Sequence, residues 1–134
     1  MKSDGAGANV HRDFEFIRLT ADGQLDPTFG NGGKTTVDVG GYAFPRQTAI
    51  QQDGKIVASG YVDTVASDPV EPFTLGVVIR LNANGTLDTT FNGTGIVRAD
   101  LLGQNTEFYD IAMQGSSVLT TGYGRSPADA RGIT

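Results

Sequence analysis

A chain of 134 residues with a formal net charge of −5, 19 glycines and no cysteine sets the first limits on this protein. The length suits one domain spanning residues 1–134, and many glycines with only 19% charged residues favour a β-rich globular fold over disorder. The acidic balance argues against a nucleic-acid or anionic-membrane surface, and the lack of cysteine excludes disulfides and thiolate metal sites.

The N-terminal segment, residues 1–13, has no apolar core of the kind found in signal peptides. No stretch of the chain approaches 18 apolar residues, so we expect a soluble chain without a transmembrane segment and leave the compartment open. His11 is the single histidine. A catalytic dyad or a His-based metal site is therefore poorly supported, and we expect His11 to be an exposed loop residue.

The next segments predict short strands joined by tight turns. RDFEFIRL (residues 12–19) is apolar on both faces near its centre and ends at Asp22-Gly23, a dipeptide typical of turns. A glycine-rich passage leads to KTTVDV (residues 34–39). RQTAIQQ then runs through Asp53-Gly54 into KIVASGYV, which predicts a β-hairpin.

The second half of the chain repeats the first. Residues 14–63 align with residues 76–125 at a constant offset of 62 without a gap, with 15 identical positions. The residues of the first copy that recur unchanged 62 positions later are Ile17, Arg18, Leu19, Ala21, Gly23, Leu25, Asp26, Thr28, Phe29, Gly33, Asp38, Gly41, Gln52, Gly60 and Tyr61. We therefore divide the chain into repeat 1, about residues 14–75, and repeat 2, about residues 76–134.

Each repeat predicts four short antiparallel strands and no helix. Four such strands, apolar on both faces, at a period near 60 residues describe one blade of a β-propeller. A solenoid or an irregular sandwich is the structural alternative.

Two phrases resemble a known family. IRLNANGTLDTTFNGTG (residues 79–95) and AIQQDGKIVASGY (residues 49–61) resemble the two halves of the delta-60 repeat, a bacterial family predicted to form β-propellers. In the second copy Gly115-Ser116-Ser117 stands where the family has Asp-Gly-Lys. The resemblance implies a fold, and the family has no agreed activity for it to imply.

Analogy with related propellers assigns the hairpins to the inner strands of a blade. The chain then has an outer pair (Arg12–Val39), a whole blade (Arg46–Leu101) and an inner pair (Phe108–Tyr123). Two blades cannot close a ring, because propellers need four to eight. We therefore expect either a ring closed by homo-oligomerisation, with a six-bladed trimer favoured, or a fragment of a larger propeller.

Candidate metal, phosphate and glycan positions all have a structural explanation. Asp26 and Asp88 could be calcium ligands, but their spacing matches no calcium loop and an Asp commonly closes its own turn. GNGGKTT (residues 30–36) lacks the glycine that a phosphate loop needs where Thr28 stands. The sequons at Asn84 and Asn92 fall at turns. We predict no metal and no cofactor.

Four apolar side chains of the repeated phrase are expected to pack within blades: Leu25, Phe29, Leu87 and Phe91. Tyr61 and Tyr123 end hairpin strands and could line a face, although packing is the simpler account. Gly60 and Gly122 precede these tyrosines and are expected where another backbone approaches closely.

The loop Val62–Pro72 carries Asp63, Asp68 and Glu71 and is either a binding loop or an acidic, solvated one.

The function favoured by the sequence is a non-enzymatic scaffold or binding module with a protein or glycan partner. Two alternatives stay open: a fragment of a longer repeat protein without independent function, and a propeller-type hydrolase or lyase. No residue is predicted to be catalytic, and an enzyme is the less favoured reading because a single non-repeated histidine is present.

Overall fold

The computed structural model describes residues 11–64, 74–101, 103 and 105–125, and these residues form eight β-strands. The strands are β1 (Phe14–Ile17), β2 (Lys34–Val37), β3 (Tyr42–Ile50), β4 (Ile56–Asp63), β5 (Thr74–Leu81), β6 (Ile96–Ala99), β7 (Thr106–Gln114) and β8 (Ser117–Gly124). No helix occurs in the described ranges, so the all-β prediction is confirmed. In those same ranges, no helical segment has the length and hydropathy that a membrane crossing requires.

The strands form three antiparallel sheets in chain order. β1 pairs with β2, the four strands β3-β4-β5-β6 form a central sheet, and β7 pairs with β8. The predicted division into a strand pair, a four-stranded unit and a second strand pair is therefore confirmed.

The central sheet is covered on both faces, which explains why its strands are apolar on both sides. Its first face packs on the β1–β2 pair, and its second face packs on the β7–β8 pair. The first core consists of Phe14, Phe29, Val37, Val39, Ala43, Ile56, Ala58, Val62, Val77, Ile79 and Leu81. The second core consists of Val57, Val78, Phe108 and Ile111. Face-to-face stacking of successive sheets is the packing expected of neighbouring propeller blades.

The turns predicted from Asp-Gly and Asn-Gly are present. Gly23 and Gly85 have φ angles of 89° and 94°, and Gly54 has a φ of 90°. Only glycine adopts such angles without strain, so these dipeptides fix where the strands of each repeat end.

The strand register corrects the gapless alignment of the repeats. Gly60 pairs with Pro45, whereas its repeat partner Gly122 pairs with Phe108, which lies 63 rather than 62 positions after Pro45. The shift persists to the end of the strand, where Ile50 pairs with Ile56 and Met113 with Val118. The β7–β8 turn is one residue shorter, which restores the offset of 62 in β8. Gln114 therefore corresponds in the structure to Gln51, and not to Gln52, with which the gapless alignment pairs it.

Both hairpins, β3–β4 and β7–β8, contain a β-bulge opposite a glycine. The register shifts between Pro45 and Gln47 and again between Phe108 and Asp110. A β-carbon on Gly60 would overlap the carbonyl oxygen of Phe44, and one on Gly122 would overlap that of Glu107. The close backbone approach predicted for these two glycines is confirmed, and its cause is the bulge on the neighbouring strand.

The acidic loop lies mostly outside the described residues. Asp68 and Glu71 belong to that part, whereas Asp63 ends β4 and pairs with Tyr42 and Thr74.

Candidate functional site

The repeated phrase builds one compact turn in each repeat. In repeat 1, Asp26 Oδ1 accepts hydrogen bonds from the backbone N–H of Thr28 at 2.9 Å and from its hydroxyl at 2.6 Å. The other carboxylate oxygen of Asp26 accepts from Arg18 Nε at 2.9 Å. The Arg18 guanidinium lies 4.7 Å from the ring centroid of Phe29, a cation–π distance. The spaced Arg, Asp, Thr and Phe thus serve one turn, as the turn-closing interpretation of Asp26 predicts.

Repeat 2 builds the same turn with one more partner. Asp88 accepts from the backbone and hydroxyl of Thr90, and Arg80 Nε donates to its second oxygen at 2.8 Å. Lys55, from the β3–β4 hairpin turn, places its Nζ 3.2 Å from the same oxygen. Asp88 is only 2% exposed. The turn therefore ties the β3–β4 hairpin of the central sheet to the β5–β6 connection.

Both carboxylates are stabilised in the ionised form. The hydrogen bonds from Thr28 lower the pKa of Asp26, with a smaller contribution from Arg18. The hydroxyl of Thr90 is the main cause of a strongly lowered pKa at Asp88, where Lys55 and Arg80 also contribute. Since these oxygens are already engaged by protein donors, we assign both residues to the structure of the turn.

The turn of repeat 1 also holds the following repeat. Arg18 Nη1 donates to the carbonyl oxygen of Ala83 at 2.9 Å, and the Gly30 N–H donates to that of Asn84 at 2.8 Å. Thr35 Oγ1 donates to the carbonyl oxygen of Gly85 at 2.8 Å. We call these three bonds the inter-repeat contact. They explain in part why the phrase is repeated. Each copy has a turn that can donate hydrogen bonds of this kind, and each copy has a turn whose carbonyl oxygens can accept them.

His11 is exposed, as predicted, and lies beside two acids. Its Nδ1 is 3.5 Å from Asp38 Oδ1, and a ligand atom of Asp13 completes a group within 4.8 Å of one another. Such a group has enough donors for a metal ion, but exposed acidic residues commonly cluster without one.

The remaining sequence motifs have local roles. Asn84 Oδ1 accepts from the N–H and hydroxyl of Thr86, and Asn92 has a φ of 55° in its turn. The sequons therefore coincide with turn chemistry. The glycine-rich passage at residues 30–36 leads into strand β2 rather than a helix, which agrees with the rejection of a phosphate loop.

The two β-bulges gather an arginine and aromatic rings on the exposed surface. Arg46 and Tyr109 are the bulged residues of β3 and β7. The Arg46 guanidinium lies 5.4 Å from the Tyr61 ring centroid and 5.3 Å from that of Tyr109, and it donates to Tyr61 Oη at 3.2 Å. The two tyrosine rings meet edge to face at 6.1 Å. We call this group and the neighbours described next the arginine–aromatic surface.

The surface extends to the start of β3. The Phe44 ring stacks on Tyr61 with centroids 4.8 Å apart. Arg12 lies over both Tyr42 and Phe44, at 5.2 and 5.5 Å from their centroids. Two cationic groups are therefore fixed on aromatic rings at one surface of an otherwise acidic chain, an arrangement suited to a ligand that carries negative charge.

Tyr109 is held as a neutral phenol within this surface. Its hydroxyl donates to Glu107 Oε1, and this bond, followed by desolvation, raises the pKa of Tyr109 to about 12. Tyr109 therefore remains an uncharged hydrogen-bond donor to Glu107.

The predicted packing residues differ in their burial. Phe29 lies in the first core, Leu87 packs against it, and Phe91 packs against the second core. Leu25 is exposed, so the packing prediction is wrong for this residue in the single chain. Tyr61 belongs to the arginine–aromatic surface, whereas Tyr123 is exposed on β8.

Tyr61 was among the candidate residues predicted from the sequence, whereas Arg46 and Tyr109 were not. The gapless alignment pairs Arg46 with Phe108, so it did not show that Arg46 and Tyr109 occupy the same bulge position in the two repeats. A usable signal was present in Pro45, because proline inside a predicted strand marks an edge or a bulge.

Comparison with known proteins agrees with the architecture. A family model described as a domain of unknown function (DUF5122) beta-propeller matches residues 5–29 and 51–91. No curated protein and no solved structure gives a significant match to the chain. The family match supports the delta-60 resemblance at the level of the propeller repeat. The two matched segments thus resemble the repeats of a β-propeller family of unknown function.

Proposed function

We propose that the chain is a non-enzymatic binding module in which propeller blades hold the arginine–aromatic surface, and that this surface binds a carboxylate-bearing partner. The observation that carries the proposal is the position of Arg46, fixed by a β-bulge between Tyr61 and Tyr109. A guanidinium has five N–H donors in a fixed fork that matches a carboxylate. Its stacked position reduces the conformational entropy that ligand binding costs.

Among carboxylate-bearing partners, an acidic glycan fits the surface best. Uronic acid units combine a carboxylate with apolar C–H faces, and the tyrosines offer exposed aromatic edges beside the cation. Tyr109 remains 43% exposed, so a ligand can reach the group. A protein partner would use the same arginine through an acidic side chain.

A propeller-type hydrolase or lyase is the alternative and receives less support. The described residues with clearly lowered carboxyl pKa values, Asp26 and Asp88, are engaged in turns. His11, Asp13 and Asp38 form a small group in which His11 and Asp38 are exposed, and acidic residues commonly cluster in this way at a surface without a catalytic role.

The proposal is tested by titrating the protein with a galacturonic acid tetrasaccharide in a calorimeter or by NMR. We expect saturable binding that Arg46→Ala weakens by about tenfold to a hundredfold, the usual cost of one charge-assisted hydrogen-bonded contact. Arg98→Ala is the matched control, because Arg98 is also exposed but lies on β6, at the edge of the central sheet opposite β3 and Arg46. A neutral galactose oligomer should bind weakly.

Two results would contradict the proposal. One is the absence of binding by both the acidic oligosaccharide and an acidic peptide at millimolar concentration. The other is binding that Arg98→Ala and Arg46→Ala weaken equally, because that pattern indicates non-specific charge attraction.

A further inference from the structure

The first sheet, the last sheet and the segment between β6 and β7 expose side chains whose repeat partners are buried. Eight large hydrophobic side chains are exposed among the described residues, and four of them correspond to core residues of the other repeat. These pairs, with exposed fractions, are Ile17 (56%) with Ile79 (0%), Leu19 (55%) with Leu81 (0%), Leu101 (63%) with Val39 (2%), and Leu119 (51%) with Val57 (0%). The exposed Leu25 corresponds to Leu87, which packs against the first core.

The same two sheets have free edges that are complementary. In the central sheet, β4 pairs with β5. By the repeat, β8 corresponds to β4 and β1 corresponds to β5. Within the part of the chain that the structure describes, β1 and β8 therefore each have one edge without a partner strand, on opposite sides of the central sheet. Unpaired edges of this kind readily accept another strand.

We propose that β8 of one chain pairs with β1 of a second copy, so that the β7–β8 pair and the second copy's β1–β2 pair form one four-stranded blade. The proposal is independent of the ligand suggested above. It commits to a second copy because this chain itself supplies both halves of the blade and the apolar residues that the contact would bury.

The central sheet predicts the register of the contact. Ala58 pairs with Ile79 and Ile56 with Leu81. Thr120 should therefore face Ile17 of the second copy, and Val118 should face its Leu19. In this register Ile17 and Leu19 cover the second face of the first copy's central sheet, next to Val78 and Val97, as Ile79 and Leu81 cover the β1–β2 pair within one chain.

The inter-repeat contact predicts a second point of attachment. Arg18 donates to Ala83 within the chain. Its counterpart Arg80 should donate to the carbonyl oxygen of Ala21 in the second copy. Strand pairing and this turn contact lie on the same side of the molecule and engage the same second copy, so one docking event satisfies both.

The contact joins different surfaces of the two copies, so it is heterologous and closes only as a ring or continues as a filament. Each copy adds two blades. We expect a closed ring of three copies, because six blades lie within the range of four to eight that propellers use.

Disulfide trapping tests the register, because the chain has no cysteine of its own. In Ile17→Cys/Thr120→Cys the two cysteines should be opposite each other between copies. Opposed residues in antiparallel strands have Cα atoms about 4.5–5.5 Å apart, within the range that disulfides span. Mild oxidation should give covalent oligomers that end at a closed trimer. Leu19→Cys/Tyr123→Cys is the control, since these exposed positions are out of register and should cross-link poorly.

The mass of the unmodified protein tests the assembly without any cysteine. Light scattering or sedimentation at micromolar concentration should give three copies. Leu119→Lys, on the face to be buried, should give folded monomers, whereas Asn31→Lys, at a turn that stays exposed beside its neighbouring sheet, should leave the trimer intact.

Several results would overturn the proposal. They are a folded monomer of the unmodified chain, aggregation without a defined species, or equal cross-linking by the in-register and out-of-register pairs. A closed dimer or tetramer with the predicted cross-link would support the contact and overturn the count of six blades.

Discussion

Asp26 and Asp88 occupy the same turn and differ in how completely it is closed. Both carboxylates accept hydrogen bonds from a threonine two positions later and from an arginine eight positions earlier. Only Asp88 also contacts a lysine, Lys55, and its side chain is 3% exposed against 20% for Asp26. One sequence phrase therefore gives a tight turn in the central sheet and a more open one in the first sheet.

We expect Asp88→Asn to lower the melting temperature at neutral pH by several degrees, and by more than Asp26→Asn does. The pKa of Asp88 is lowered on folding, so its contribution is full above the unfolded carboxyl pKa of about 4 and is lost as the pH falls through the lower, folded value. The difference between wild type and variant should thus shrink below about pH 4. Thermal unfolding followed by circular dichroism, at one protein concentration and several pH values, measures this difference in melting temperature. A difference that is independent of pH would contradict the assignment.

At the scale of elements, the bulged hairpin is the unit that shapes the candidate surface. The β3–β4 and β7–β8 hairpins each have a glycine opposite a bulge, and the bulged residue carries the side chain that reaches the surface, Arg46 in β3 and Tyr109 in β7. A bulge reverses the ordinary alternation of faces, so these side chains leave the blade faces and meet.

Gly60→Ala should destabilise the fold by about 1–3 kcal/mol, as other overpacking changes do. The added methyl would overlap the Phe44 carbonyl oxygen and would lie 3.0 Å from the Phe14 ring. Gly122→Ala should act in the same direction. Gly115→Asn is the control, because Gly115 has open space and a φ of 62° that asparagine tolerates. Chemical denaturation measures all three. A change within about 0.5 kcal/mol for Gly60→Ala would show that the bulge shifts to make room.

The sequence predicts the strands and their grouping well because both depend on local patterns that occur twice. Asp22-Gly23 and Asn84-Gly85 mark the same turn, and apolar runs on both faces identify β4 and β5 as central strands. The candidate surface was harder to predict. Repeat 2 has one extra residue before β7 and one residue fewer in the β7–β8 turn, so the two changes leave the overall repeat length the same. Counting residues from the repeat length therefore could not show that Arg46 and Tyr109 occupy the same bulge position.

At the scale of the whole molecule, the described chain is a stack of three sheets, and each of the two outer sheets has two strands, half the number in the central sheet. In the central sheet, β4 and β5 each have a partner strand on both sides, both faces of the sheet are covered, and Lys55 of the hairpin turn is joined to Asp88 of the β5–β6 turn. In the proposed assembly each outer sheet gains the first two of these from a second copy. The third is missing, because Ser117 occupies the position that corresponds to Lys55.

Ser117→Lys should therefore strengthen association. In the predicted register, position 117 of one copy lies beside Asp26 of the next, as Lys55 lies beside Asp88. A partly exposed ion pair of this kind should lower the dissociation constant by about twofold to fivefold for each contact. The gain should decrease at high salt, because ions screen the pair. Sedimentation equilibrium of dilute protein measures it.

Two further variants make this prediction specific to the contact. Adding Asp26→Asn to Ser117→Lys should remove the gain, since the new lysine then has no carboxylate partner in the second copy. Ser116→Lys, which adds the same charge one position away, should give little or no gain. If Ser117→Lys strengthened association equally with and without Asp26, its effect would come from reducing the net charge of −5. The blade shared between copies would then lose its support from this experiment, because general charge repulsion acts at every surface.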